Sequence, residues 1–597
     1  MSNTTISPDN DGTAIGHRAA AVPVTFYETV GLYMPVSVAA QPCDVAVLFA
    51  SPWGLEEMSS HKFFRQMADM LADRGISSLR FDYPGTGDAL GDPAAVTGLD
   101  VWSQCLAEAG RRLSVLSGCS RIIVVSQGIG AVVTQKAAGE IAGLAGAAFL
   151  APVVSGRTHI RELAVWSKVV DDNLGLRDDQ RTGESGVIAS FVMPKAIVED
   201  VRKTDLRAIE ATVVPRALVV GRADRPTDAE FAETLRGLGV VVETAAFEGY
   251  DQLVANPTVS RMPVAVIDHV VSWVAGLATE AKRQPDLPIP PVLPLDGAGF
   301  SDLPVRFGKN DHLSGMLCRP TGAQVGATVI FLTSAYDRKA GWGRATVKMA
   351  RALAQTGITS LRFDTASAGD SPPVPGRPEQ VLYHETQNAD VFAAIDFVEE
   401  LTPGPVMTAG RCSGAYLGLQ ASLADPRIRG NVSVNPAVFH WKEGRSVEEA
   451  VVQGTRSLND YGRRMLNRDT FSRIFQGEID IRAALRNIAR GIGGRIRNRL
   501  LHAFRHVLPE GRKVYGSFRT LSQRGMPLAL IYSENDIGLD AFHFFFGRDG
   551  EGLKPYGNTS VTMIPDADHN LTPPAASAIY LETVRLMAID IGKPAKA

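Results

Sequence analysis

Residues 410–414 read Gly-Arg-Cys-Ser-Gly, which sets one thiol between two glycines. A nucleophile on a sharp strand-to-helix turn needs this pattern, because its backbone is strained and the flanking small residues let strand and helix approach. Cys412 would then stand at the C-terminal edge of a sheet, with Gly410 and Gly414 making the elbow. The positive end of the following helix would lower the thiol pKa, and the amide of Ser413 would face a developing oxyanion. A small buried cysteine in an ordinary turn, or Ser413 as the reactive group, fits the same stretch.

A thiol nucleophile of this kind works with an imidazole to take its proton and a carboxylate to fix the imidazole tautomer. Asp536, in SENDIG, and His569, in DADHNLTPP, each follow a short apolar run of strand length. The predicted catalytic set is therefore Cys412 as nucleophile, His569 as base and then acid, and Asp536 as the orienting carboxylate. Glu534 is the alternative acid. His312, His384, His440, His502, His506 and His543 fall in the same half, but none sits in a comparable loop late in the chain.

The elements that must carry these residues occur twice. MADMLADRGISSLRFDYPGTGDALG (67–91) recurs as MARALAQTGITSLRFDTASAGDSPP (349–373), and PRALVVGRAD (215–224) recurs as PLALIYSEND (527–536), with about thirty extra residues in between in the second copy. This second match puts Asp224 opposite Asp536 and Arg222 opposite Glu534, which favours Asp536 as the acid. Between the copies, RQPDLPIPPVLPLDGAG (283–299) holds five prolines without apolar periodicity and reads as an extended linker.

In the second copy the apolar runs 327–334, 360–364, 405–410 and 429–436 alternate with helical patterns at 343–357, near 384–401 and after Cys412. Strands that are apolar throughout and separated by helices predict a parallel sheet covered on both faces. The expected fold class is α/β, as two tandem doubly wound domains: a tail at 1–20, a first domain at 21–280, a linker at 281–299 and a second domain at 300–593.

The first copy keeps the frame and loses the chemistry. Aligning Gly130-Ala131 with Gly414-Ala415 puts Gly128 opposite Cys412, while a rival register offers Ser126 in VVSQG without the leading glycine. GYDQL (249–253) offers Gln252 where His569 stands, although Asp224 survives. The first domain is thus expected to be degenerate, with His61 and Glu57 open to a substrate or interface role. PGTGDALG (84–91) does not fit a dinucleotide fingerprint, since Pro93 follows and the repeat keeps only Gly369 and Asp370. It reads as a turn that both domains need.

Across 597 residues the formal net charge is −3, which singles out neither a nucleic-acid binder nor a solvating acidic chain. Cys43, Cys105, Cys119, Cys318 and Cys412 are few and lack metal-site spacing, so no metal, no cofactor and no disulfide framework is expected. A reducing cytoplasmic setting fits. The polar first twenty residues do not read as a secretory signal, and no run of 18 apolar residues suggests a transmembrane span.

The paired SLRFDYPGTGD and SLRFDTASAGD, the GRCSG elbow and the ending DADHNLTPP resemble the α/β-hydrolase superfamily over nearly all of residues 20–590. The cysteine elbow is similar to that of dienelactone hydrolases and of polyhydroxyalkanoate synthases, and the tandem pair resembles bacterial hydrolases associated with exopolysaccharide and exosortase loci. The resemblance implies a second oxyanion donor from the loop 333–337, with Ala335 as the candidate, and lids at about 153–212 and about 438–523.

Within the second lid, 482–513 carries nine Lys/Arg against Glu510, with Leu485, Ile488, Ile492, Ile496 and Leu500 at helical spacing. Such a segment suits an anionic substrate, an acyl-CoA phosphate, peripheral contact with an anionic membrane, or a lid helix with a solvated basic face. The expected activity is hydrolysis of an ester or thioester on a small or saccharide-linked acyl substrate. Acyl transfer to a sugar or other hydroxyl, and a non-catalytic scaffold, are the alternatives.

Overall fold

The computed structural model describes residues 20–92, 96–181, 185–254, 260–281, 290–335, 337–379, 382–441 and 506–593. Residues 1–19 of the expected tail, 283–289 of the proline-rich stretch and the apolar positions 485–500 of the basic segment lie outside the described residues.

The first half builds an eight-stranded sheet from β1 (Val22–Phe26), β2 (Thr29–Met34), β3 (Val45–Ala50), β4 (Ser78–Phe81), β5 (Arg121–Gln127), β6 (Leu144–Leu150), β9 (Arg216–Gly221) and β10 (Val241–Ala246). A small hairpin, β7 (Val187–Ile188) and β8 (Phe191–Val192), lies in the insertion between β6 and β9, flanked by helices Gly156–Leu174 and Lys195–Lys203.

The second half uses β11 (Leu295–Gly297), β12 (Phe300–Phe307), β13 (Leu313–Pro320), β14 (Thr328–Leu332), β15 (Ser360–Asp364), β16 (Val406–Arg411), β17 (Ile428–Val434), β18 (Leu528–Ser533) and β19 (Thr559–Ile564). The orders are β1-β2-β4-β3-β5-β6-β9-β10 and β11-β12-β13-β15-β14-β16-β17-β18-β19, the same path with one extra edge strand. These are tandem α/β domains built on one sheet path.

The continuous apolar runs are explained by burial on both faces. Ile122 and Val124 of β5 enter one core layer and Ile123 and Val125 the other. In β14, Val329 and Phe331 face one layer and Ile330 and Leu332 the opposite one.

Three expectations need correction. The sheets are mixed, because β1, β2 and β4 pair antiparallel, as do β11, β12, β13 and β15. The β1–β2 hairpin turns at Tyr27 and Glu28, both at positive φ, a tight reversal that the twist of paired strands favours. Residues 295–297, read as linker, form the edge strand β11. Likewise helix Pro509–Gln523, inside the expected second lid, packs Val514, Phe518 and Leu521 into the body core beside Phe439.

The repeated glycine turns close on their own aspartates. The Asp88 amide donates to Asp82 Oδ2 at 2.8 Å, and the Asp370 amide to Asp364 Oδ2 at 3.0 Å. A Cβ at Gly87 would lie 2.1 Å from Asp82 Oδ2 and one at Gly369 2.5 Å from Asp364 Cγ, so the carboxylate occupies the space a side chain would need.

These turns also face each other across the two halves and exchange charges. Arg80 donates to Asp370 at 2.7 Å, and Arg362 reciprocally to Asp88 at 3.1 Å. Arg338 donates to Glu57 at 2.7 Å and to both oxygens of Asp82 at 2.9 Å. His61 spans Glu57 at 3.0 Å and Asp370 at 2.6 Å, so both residues flagged in the sequence belong to the interface.

Arg362 is fully buried and also donates to Asp302 at 2.9 Å. Removing one partner of such a cluster leaves the others charged and dry, a loss of about 3–5 kcal/mol. Arg362→Met is expected to lower the urea unfolding midpoint by an amount in that range. An exposed control, Arg111→Met, should leave the stability within about 0.5 kcal/mol of wild type.

Candidate active site

Cys412 follows β16 and starts helix Ser413–Ala424, with φ 55 and ψ −118. Its amide donates to the Val434 carbonyl at 2.9 Å, tying the turn to β17. A Cβ at Gly410 would sit 2.6 Å from Gly414 C, and one at Gly414 would sit 2.4 Å from the Leu332 carbonyl oxygen. The glycines are therefore required by the close passage of strand and helix under a strained residue.

Asp536 lies just past β18, where it is buried, and its Oδ1 accepts from the Gly538 amide at 2.7 Å. Its Oδ2 is 2.5 Å from His569 Nδ1, beyond β19. That hydrogen bond leaves Nε2 for other work. Glu534, the alternative acid, is exposed.

One side chain missed in the sequence holds this arrangement together. Asn435, fully buried at positive φ just after β17, donates to the His569 carbonyl at 3.0 Å and to Ser533 Oγ at 3.0 Å, and accepts from the Ser533 amide at 2.8 Å. It thereby joins the end of β17 to the end of β18 and to the loop that carries His569. Its signal was an asparagine directly after a strand and before a proline, a pattern that also marks ordinary turns.

Burial raises the Cys412 pKa, but the charge and hydrogen bond of His569, the charge of Arg411 and a hydrogen bond from Ser334 outweigh it, so the thiol lies below its ordinary value. Burial opposes the charged form of His569 too, yet the thiolate of Cys412 and the carboxylate of Asp536 push its pKa up to about 10. A thiolate–imidazolium pair follows from this mutual shift. Tyr383, also absent from the sequence reading, is buried and stays protonated, chiefly through burial and then through the charge of Cys412, to which it hydrogen-bonds. Its ring packs edge-on against Tyr416 at 5.0 Å.

Arg411, beside the nucleophile, binds Asp337 at 3.0 Å and Asn570 at 2.5 Å, linking the loop after β14 to the histidine loop. Burial raises Asp337 to about 6 against the charges of Arg411 and His569. The Ala335 amide is engaged in this state: it donates to Ser413 Oγ at 2.6 Å. For Ala335 to meet an oxyanion, that hydroxyl must turn away.

In the first half Gly128 takes the elbow position. It has φ 56, and its amide donates to the Leu150 carbonyl at 3.1 Å, as that of Cys412 does to Val434. Ser126, the rival, is buried in β5 and donates to the Ala148 carbonyl at 3.0 Å. A Cβ on Gly128 would meet Glu56 Oε2 at 2.7 Å, so a carboxylate fills the nucleophile's place. Glu56 Oε1 accepts from Gln127 at 3.0 Å and Tyr250 at 3.1 Å. Counting from the paired ends of β10 and β19, Asp251 stands opposite His569 in place of Gln252. Asp224 is exposed and pairs with Arg225.

No family model matches the sequence, and no curated protein matches it. Among solved structures the chain is similar to a dienelactone hydrolase from Anabaena variabilis ATCC 29413, with 12% identity over 50% of this chain and 100% of that one and a TM-score of 0.29. It is also similar to an esterase from Pyrococcus furiosus, with 16% identity over 49% and 91% of the two chains and a TM-score of 0.30. For an α/β serine hydrolase homologue from Coxiella burnetii the values are 14% identity, 47% and 90% coverage and a TM-score of 0.26.

The lowered thiol pKa has a direct chemical consequence. Thiolate persists as pH falls below the ordinary thiol value of about 8.5 and is lost only below the depressed one. Alkylation of Cys412 by iodoacetamide, followed by peptide mass mapping, is expected to show a midpoint below that ordinary value and to move it upward in His569→Ala. Cys43 and Cys119, whose pKa values are raised chiefly by burial, should react only at higher pH.

Proposed function

We propose that the second half is a cysteine hydrolase of carboxylic esters or thioesters, with Cys412, His569 and Asp536 as its triad. The observation that carries this reading is the 2.5 Å contact of His569 Nδ1 with Asp536, next to a thiol held at positive φ on the elbow. Four residues distant in sequence are thereby matched in role: nucleophile, base, orienting acid and the Asn435 clamp.

In the first step Cys412 Sγ forms a bond to the carbonyl carbon and the carbonyl π pair moves to oxygen. The amides of Ser413 and of the Ala335 loop donate to that oxyanion, where preorganised donors are worth most. Collapse of the intermediate breaks the bond to the leaving alcohol or thiol, which takes its proton from His569 Nε2. A thioester to Cys412 remains. Water then attacks the same carbon as His569 accepts its proton, and Cys412 leaves as thiolate. Acyl transfer differs only in the second nucleophile, a hydroxyl in place of water, and the thioester intermediate favours it because a thioester passes readily to alcohols.

Intact-protein mass after brief exposure to p-nitrophenyl acetate tests the reading. An acetyl adduct is expected on the wild type and absent from Cys412→Ala, with Asp536→Asn slowing its formation by about 10²–10⁴. Decay in water identifies the hydrolase, whereas decay only after adding a hydroxyl compound identifies the transferase. No adduct and no turnover would favour a scaffold.

Ser413→Ala supplies a separate check on the oxyanion donors. Removing the hydroxyl that now occupies the Ala335 amide should speed acetylation severalfold, read as the adduct growth rate. A fall of about tenfold or more, equivalent to about 1.4 kcal/mol, would move the second donor away from Ala335.

A further inference from the structure

A cavity of about 660 Å³ opens between the halves at the C-terminal ends of β3 and β4, away from Cys412. This is within the range of small-molecule sites. Its apolar wall comes from Trp53, Phe81, Phe191 and Met193, partly from the insertion hairpin β7–β8 of the first half. The opposite wall comes from Arg344 and Lys348 of the second half, so neither half makes the site alone.

Two cations of that wall make no ion pair with the acids that line it. Glu57 and Asp82 line the cavity, but both are engaged by Arg338. Arg344 is buried and its guanidinium donates only to backbone carbonyls, those of Gly85 and Ala89 at 2.7 Å, Gly87 at 2.9 Å and Gly91 at 3.4 Å. No carboxylate pairs with it among the described residues. Lys348, exposed one turn further along helix Ala345–Gln355, likewise has no ion-pair partner among the described residues. Asp92 and Lys195 complete the charged lining, and the charge of Asp92 acts on Lys348. Burial first, and then the charge of Arg351, bring the Arg344 pKa down to about 10, against the opposing charges of Asp88 and Asp82. Both cations stand at the positive end of the helix.

We propose that this cavity is a second, non-catalytic binding site for a small anionic amphiphile, its carboxylate or phosphate head against Arg344 and Lys348 and its apolar body against Trp53, Phe191 and Met193. Turnover there is not part of the assignment, since the nearest elbow carries Gly128 in place of a nucleophile. An anion would form the direct ion pairs that these two cations do not make with described residues, and the aromatic wall would cover an alkyl or acyl chain.

Isothermal titration of the Cys412→Ala protein with decanoate and with decyl phosphate tests this, with decan-1-ol and decyltrimethylammonium as the uncharged and cationic comparators. Saturable binding near one equivalent is expected for at least one anion, and which anion binds tighter identifies the head group. Lys348→Glu should weaken anion binding by about tenfold or more, equivalent to about 1.4 kcal/mol, while leaving decan-1-ol unchanged. Phe191→Ala should weaken every bound probe. Unfolding midpoints of the two variants, measured alongside, separate a lost site from a lost fold. The assignment is overturned if neither anion binds, if both variants bind as the parent does, or if the cationic probe binds as tightly as the anions.

Discussion

Arg338 is the residue through which the two halves depend on each other. Its guanidinium belongs to the second half, and its counter-charges, Glu57 and Asp82, belong to the first. A buried guanidinium without those carboxylates would be costly, so the halves are obliged to stay docked once it is ordered. Its chain neighbour Asp337 holds Arg411 at the elbow, and Arg411 holds Asn570 beside His569. A short covalent and ionic path therefore runs from the carboxylates of the first half to both the nucleophile turn and the histidine loop of the second.

This arrangement gives the first half a physical role. Its elbow space is filled by Glu56, fixed by Gln127 and Tyr250, so it offers no nucleophile there. What it retains is the glycine–aspartate turn, and that turn now serves the interface: Asp88 receives Arg362 while Asp370 of the other copy receives Arg80. The repeat is thus used twice, once to fold each sheet and once to pair the sheets. The interface cluster also leaves the Arg344 guanidinium hydrogen-bonded to backbone carbonyls alone.

In the second half the chemistry rests on electrostatic reciprocity. Burial alone would raise the thiol and lower the imidazole, which would favour the neutral pair. The charge of each on the other reverses both shifts, and Asp536 adds to the histidine side. Asn435 contributes no charge. It binds the histidine backbone and the end of β18 with one amide, which keeps the base and the acid in register with the elbow.

Much of this was legible in the chain itself. Apolar runs such as 360–364 matched observed strands because burial on both faces leaves no room for polar alternation, and the repeat at 67–91 and 349–373 fixed the tandem domains. Cys412, Asp536 and His569 were named from strand-end positions, since a sheet delivers its strand ends to one edge. Local pattern could not reveal the antiparallel edge of each sheet, because pairing direction is a property of two segments together. Nor could it reveal Asn435 as a clamp, Glu56 in the place of a nucleophile, the Ser413 hydroxyl on the Ala335 amide, or the cavity beside Arg344. Each of these is a contact between residues far apart in the chain, whose meaning comes from the charge or hydrogen-bond partner that tertiary packing brings to it.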